Sequence, residues 1–280
     1  LNLGTKIVVD SSCGIDPQLA KEMDIEILPM PIQLGGQSYL DGVDISREEF
    51  YQRVRAGELA KTSSPSPGAF IEVWQRHLDA GNRVIQVLLA GRASASVEVA
   101  RGLALDMAPD RIDVVDSQAL TYLEAFVALA GAKVLKAGGS HEEALAAIQA
   151  VPQNQFAYIT MPTLSYLKAS GRVTKGQAIL ASMLNIKIVL RYAVGELEVV
   201  DKIRSFSQAV KKVETLALEG WAGRSCDVAL MHCDCLALAE EVRDNLATKM
   251  TWNSIVIGDA GPIIASHIGP GTIVVVVKLI

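Results

Sequence analysis

The segment Thr62-Ser63-Ser64-Pro65-Ser66-Pro67 sets four hydroxyls on a backbone that two prolines stiffen. Each proline fixes its own φ and keeps the residue before it extended. Donors held this way suit a carboxylate or a phosphate, because little ordering entropy is left to lose on binding. The same residues also suit a helix start, with Ser66 as cap and Pro67 at the first helical position. A second group is Leu89-Ala90-Gly91-Arg92-Ala93-Ser94-Ala95-Ser96, where a buried strand gives way to a helix. Small residues admit a close ligand and helix-start amides favour negative charge, while Ser94 or Ser96 taken alone reads more readily as a cap. Ser170-Gly171-Arg172 puts a cation behind a glycine turn, as an anion grip or as a solvated arginine. Gly261 to Gly271 sets His267 against Gly269-Pro270-Gly271. Its amides either form an anion-binding concavity beside the imidazole or make a plain turn before the last strand. His232-Cys233-Asp234-Cys235 invites a metal reading. Strand alternation would put the two cysteines on one face and the histidine on the other, which leaves only a partial shell.

The elements that must position these residues alternate strand and helix over the first two-thirds, the pattern of a mostly parallel sheet. Strands are expected at 7–9, 25–32, 37–40, 83–89 and 111–115. Helices are expected from a capping box at Ser46 to Glu49, after Pro67, over 94–107, over 119–137, and from a second capping box at Ser140 to Glu143. Asp10, Ser11 and Ser12 fall where the first strand hands over to a helix, the edge at which parallel sheets usually hold ligands. Past Pro152 the grammar changes. A strand at 156–159, a helix at 164–169 and a hairpin of 186–192 with 196–202 around Val194-Gly195 lead into a mixed unit ending in strands near 254–257 and 272–278. The expected architecture is α/β: a mostly parallel α/β/α N-terminal domain over residues 1–154 and a mixed-sheet α/β C-terminal domain over 155–280.

Composition narrows the function classes. Half of the 280 residues are apolar and 20% are charged, with a mean hydropathy of +0.29, so a folded core rather than disorder is expected. No apolar run approaches the roughly 18–20 residues of a membrane span, and no stretch of signal-peptide character opens the chain. With 26 basic against 31 acidic side chains, the net charge of −5 opposes nucleic-acid binding. Cys13, Cys226, Cys233 and Cys235 are too few for a disulfide scaffold, which favours a reducing cytoplasm. Walker, dinucleotide, Gly-x-Ser-x-Gly and HExxH signatures are missing.

Taken in order, the motifs resemble those of the DegV family of bacterial lipid-binding proteins. The matching stretches are Ile7-Val8-Val9-Asp10-Ser11-Ser12, Tyr39-Leu40-Asp41-Gly42-Val43-Asp44-Ile45, Thr62-Ser63-Ser64-Pro65-Ser66-Pro67, Tyr166-Leu167-Lys168-Ala169-Ser170-Gly171-Arg172 and His267-Ile268-Gly269-Pro270-Gly271. The resemblance implies a two-domain protein that buries one long-chain fatty acid in a tunnel, with no cofactor. It further implies that the carboxylate is presented to the ATP-binding subunit of a fatty acid kinase, in the cytoplasm and with only transient membrane contact. Thr62, Ser63, Ser94 and Ser96 would bind the acid group, with Arg172 and His267 near the head group and the kinase-docking surface. Where the family turn usually reads Ser-Ser-x-Leu-Ser-Gly-Thr, this chain has Ala90-Gly91-Arg92-Ala93-Ser94-Ala95-Ser96. Arg92 then either reaches the carboxylate in place of the missing serines or marks a different head group.

The apolar stretches at 119–137 and 178–184 are suited to walling an alkyl chain, as they are to ordinary core packing. Two other classes stay open. Ser94 or Thr62 with His267, oriented by Asp10, would make an acyl or phosphoryl transfer enzyme. Arg92 would convert the site to a polar phosphorylated metabolite. The leading expectation is lipid carriage without catalysis.

Overall fold

The structure, a computed structural model, describes residues 4–172 and 186–280. The expected apolar wall at 178–184 lies outside the described residues. The first half runs β1 (Thr5–Asp10), a 3-10 turn (Ser11–Cys13), α1 (Pro17–Glu22), β2 (Ile25–Leu28), β3 (Pro31–Leu34), β4 (Gln37–Leu40), α2 (Arg47–Arg55) and β5 (Ala60–Thr62). It continues through α3 (Pro67–Asp79), β6 (Arg83–Leu88), α4 (Ser96–Met107), β7 (Ile112–Asp116), α5 (Tyr122–Lys136) and α6 (His141–Ala150). Strands order as β2-β1-β6-β7 in an all-parallel sheet, and β4-β3-β5 form a small antiparallel one.

After a 3-10 turn at Val151–Asn154, the chain enters β8 (Gln155–Thr160), α7 (Ser165–Ser170), β9 (Lys187–Ala193), β10 (Glu196–Ile203) and α8 (Phe206–Trp221). It ends with β11 (Cys226–His232), α9 (Leu236–Ala247), β12 (Ser254–Asp259), α10 (Gly261–Ile268) and β13 (Ile273–Leu279). These strands form one sheet, β10-β9-β8-β13-β11-β12, in which β11 and β12 alone run parallel. No helix among the described residues is long and apolar enough to cross a membrane.

Local chemistry explains most boundaries. Ser66 Oγ accepts the Ala69 amide ahead of Pro67, and the Ser140–Glu143 box closes in both directions. At Ser46 the hydroxyl accepts Glu49 N, while the Glu49 carboxylate turns to Arg53. The expected strand over 25–32 is two strands in two sheets, because Pro29 and Pro31 each lack the amide a ladder needs. The helix expected from residue 119 begins at Tyr122, since Gln118 and Thr121 both take φ of +50°. The segment expected as a turn before the last strand is largely helix, with Pro262 in its first turn.

One apolar cluster crosses from half to half, joining Ile7 and Ile85 of the parallel sheet to Leu190 and Val274 of the mixed one. Helix α5 lies between the two sheets, packed on β1 and β6 on one side and β8 and β13 on the other. That double burial is why it is apolar nearly all round rather than on one stripe. Gly131 sits where α5 meets its neighbours: a methyl there would fall 2.6 Å from Ile148 Cδ1 and 3.1 Å from Ile7 Cδ1. Gly131→Ala is expected to cost about 1–3 kcal/mol by overpacking a fully buried site. A urea unfolding midpoint equal to wild type would show that this junction has slack.

Candidate functional site

In the parallel sheet β2 lies on one side of β1 and β6 on the other, so the connection changes direction between β1 and β6. The crevice beyond the carboxyl ends of those strands is where open α/β sheets place ligands. Asp10 to Cys13 and Leu89 to Ser96 leave the sheet there. The small sheet brings Thr62 beside them, paired with Ile32 at the end of β5. Thr62 Oγ1 meets His267 Nε2 at 2.8 Å, across 205 residues of sequence. Ser64 Oγ lies 3.3 Å from Ser94 Oγ, and Ser94 Oγ lies 2.8 Å from Ser96 Oγ.

Of this loop, Thr62 meets His267 and Ser64 meets Ser94, while Ser63, expected among the acid-binding hydroxyls, makes neither contact. In extended backbone alternate residues share a face, so Thr62 and Ser64 stand roughly 7 Å apart on the same side while Ser63 is turned outward and exposed. The Ser63 amide donates to Pro31 O. A period of two along the proline-stiffened stretch is the signal that points to Ser64. Neither Ser94 nor Ser96 is the N-cap of α4. That position is Ala95, and Ser94 Oγ accepts the Ser96 amide instead.

His267 closes α10, and its position is set by a close approach. Gly269 has φ +80°, and a Cβ there would fall 2.2 Å from the ring of Tyr166, so α7 rests directly on this glycine. That contact brings the Gly171-Arg172 turn close enough for the guanidinium charge to act on the imidazole. Burial first, and Arg172 second, push the His267 pKa down to about 4. Arg172 itself is exposed and donates to Ser170 O. The Gly269 and Gly271 amides are taken, by Ala265 O at 2.8 Å and Cys233 O at 2.7 Å. The turn therefore offers no anion-binding concavity from these two groups. His267 Nδ1 is buried without a hydrogen-bond partner among the described residues. Arg92 does not join the hydroxyls: its side chain is 64% exposed and pairs with Glu196 of β10.

Behind the hydroxyls lies a set of buried acids, of which the sequence pointed only to Asp10. Its Oδ1 accepts from Ser12 N and Ser12 Oγ, and its Oδ2 from Leu89 N at 2.9 Å. Ser12 Oγ is also 3.3 Å from Glu124 Oε2 on α5. Burial raises both carboxyls, Glu124 well above its usual range, with the Asp10 charge adding to it. Asp10 is thus committed to the strand ends and does not orient His267. Glu124 was hidden in an apolar helix, and an acid amid Leu123, Ala125 and Phe126 is the only sequence sign of it.

A family model described as "uncharacterised protein, DegV family" matches residues 4–278. The chain belongs to the DegV family. A DegV domain-containing protein of Caldanaerobacter subterraneus is 31% identical over 266 residues, covering 94% of this chain and 95% of its own. A DegV family protein of Thermus thermophilus, described as fatty acid-binding, superposes with a TM-score of 0.89 at 28% identity, over 99% of this chain and 100% of that one. A stearic acid-binding protein of Eubacterium ventriosum superposes at 0.86 with 26% identity, covering 98% of each.

Elsewhere in this DegV chain, the strand alternation expected through Cys235 ends at His232, because Asp234 takes φ +58°. Cys233 is buried, while Cys235 lies partly open with its thiol toward Thr272 O. No cluster of three or more metal-ligating side chains occurs among the described residues. Two surface clefts stand out: one of about 370 Å³ beside Lys21 and His77, and one of about 550 Å³ between Arg92, Gln118 and the β9–β10 hairpin. Thr62, Ser94 and His267 line neither.

The low pKa of His267 sets a pH dependence. The unfolded imidazole takes its proton near 6.5, the folded one only near 4. Stability from the buried neutral ring is therefore complete above about 6.5 and is lost as pH falls toward 4. In urea unfolding, wild type is expected to lose stability relative to His267→Gln over that window. Parallel pH profiles would show that the ring is not held neutral by burial.

Proposed function

We propose that this chain binds one long-chain fatty acid, with the carboxylate at Thr62, Ser94 and His267 and the alkyl chain along the apolar core shared by both halves. The observation that carries this reading is the hydroxyl and imidazole junction, whose His267 Nδ1 is without a partner among the described residues, at the end of the crevice between β1 and β6. A carboxylate leaving water needs hydrogen-bond donors to offset its desolvation. If Nε2–H donates to Thr62 Oγ1, the threonine proton is free for the ligand; in the other tautomer Nδ1–H supplies the donor. Ser64, Ser94 and Ser96 add hydroxyls on one side, and Arg172 adds positive potential from outside. Arg92, paired with Glu196, has no part in this head-group site.

Fatty acid binding by the Thermus and Eubacterium relatives, which share the whole fold, supports the same ligand class here. Burying a sixteen-carbon chain at about 0.8 kcal/mol per methylene gives a gross gain on the order of 10 kcal/mol, enough for tight retention after ordering costs. We take residues 1–154 and 155–280 as the two domains that close on the chain, with no cofactor. The protein then works as a cytoplasmic carrier that touches the membrane transiently and presents the carboxylate to a separate ATP-binding kinase subunit. On this reading catalysis is left to that subunit, and Asp10 serves the strand ends, where Ser12 and Leu89 hold it.

Native mass spectrometry of gently purified protein is expected to show an added mass of one fatty acid. After delipidation, Thr62→Ala and Ser94→Ala are each expected to weaken fatty acid binding roughly tenfold or more, the loss of a hydrogen bond to a charged group. Apo protein that binds no added fatty acid would overturn the reading. So would ester turnover abolished by Ser94→Ala, which would make the cluster an enzyme site instead.

A further inference from the structure

We infer that Tyr51 and Asp259 are positioning residues for the acid site: their hydrogen bond seats the start of α10 so that the far end of that helix holds His267 against Thr62. This rests on the fatty acid reading above and names what fixes its head-group geometry. Tyr51 OH donates to Asp259 Oδ1 at 2.8 Å, across 208 residues of sequence. The same oxygen accepts Gly261 N at 2.7 Å, which closes an Asx turn over the first residue of α10. Asp259 Oδ2 accepts Asp234 N at 3.4 Å and faces His232 Nδ1 at 3.6 Å, so the carboxylate is held from the second half as well. The Tyr51 side of the bond is buried too, in a residue only 4% exposed.

One unit of the first half grips both ends of α10. Helix α2 carries Tyr51 to the start of α10, and β5, the next element in the chain, carries Thr62 to its end, where the hydroxyl meets His267 Nε2 at 2.8 Å. Between them the Arg53 guanidinium forks onto Glu58, with Nε to Oε1 at 3.0 Å and Nη2 to Oε2 at 2.8 Å. That two-pronged pair stiffens the connection from α2 to β5. Tyr166 against Gly269, and Cys233 O accepting Gly271 N, hold the far end of α10 from within the second half. They place His267 in its own half and not against Thr62.

Directionality is what the bond adds. The largely buried α10 also packs against α2 and β5, but apolar contact has no preferred direction and lets a short helix rock. A hydrogen bond does not. His267 stands roughly 9 Å along the helix from Gly261, so a tilt of about 7° at Asp259 moves the imidazole by about 1 Å. A shift of that size takes a contact of 2.8 Å beyond hydrogen-bond range. Thr62 and His267 would then no longer present a paired set of donors to one acid group. A charged carboxylate suffers most from that loss, because its hydrogen bonds are stronger than those of a neutral head group.

The test uses the delipidated full-length chain, with affinities for stearate and for octadecanol, which share an alkyl chain and differ in the head group. Wild type is expected to prefer stearate by about tenfold or more, and Tyr51→Phe, which removes only the phenol oxygen, to cut that preference about fivefold through stearate alone. Asp259→Ala is expected to do the same, while Asp259→Asn, which keeps an oxygen for Tyr51 and Gly261, retains most of the preference. In a His267→Gln background Tyr51→Phe is expected to change nothing further, because it acts through that ring. The inference is overturned if Tyr51→Phe leaves the preference intact or weakens stearate and octadecanol equally, the mark of a merely structural bond. A full further loss in the His267→Gln background overturns it too, as does a wild type indifferent to the head group. A wild type that binds neither probe overturns the fatty acid reading itself, and this inference with it.

Discussion

A polar group buried in an apolar interior needs hydrogen-bond partners there, and the hydroxyls and imidazole around Thr62 meet that constraint for one another. The hydrogen bond between Thr62 and His267 is the point where the fold converges, since one partner ends a strand of the small sheet and the other ends a helix of the second half. Neither residue could be placed by its own element. The threonine depends on the register of β3 with β5, and the histidine on α10 resting against the first half at α2, β5 and the Ser11–Cys13 turn.

The two halves are held by polar ties at the rim of a continuous apolar core. Tyr51 OH donates to Asp259 Oδ1 at 2.8 Å, Gly195 N donates to Gln118 O at 2.8 Å, and Arg92 pairs with Glu196. Such bonds orient the halves more than they stabilise them, because exposed ion pairs contribute little. Burial of α5 between the two sheets contributes more. An interior shared in this way ties the two sheets into one apolar core.

Polar groups inside that core carry an energetic penalty that ordinary packing does not explain. Asp10 offsets its burial with three hydrogen bonds, of which the one from Leu89 N fastens the ends of β1 and β6 together. Among the described residues Glu124 is left with one oxygen unmet, and the Thr121 and Tyr192 hydroxyls are unmet too. Positive φ at Gln118 and Thr121 adds strain to the same short segment. Strained backbone beside unmatched buried polar groups is the pattern of a segment shaped for binding rather than for stability.

Local chemistry along the chain was enough to determine the parallel character of the first sheet, the hairpin at Val194-Gly195 and the Ser66 and Ser140 caps. Each follows from spacing, from proline and glycine geometry, or from side chains that reach only a few residues away. The rest depended on contacts between distant segments. Alternation in the extended stretch selected Ser64 over Ser63 as the partner of Ser94, once the small sheet had fixed which face looked inward. Burial and the approach of Arg172 lowered the proton affinity of His267, and Arg92 pairs with Glu196 instead of joining the hydroxyl cluster. The Glu124 carboxyl was pushed above its usual range only when two sheets closed over its helix, because desolvation is a property of the folded surroundings and leaves no mark in a local pattern.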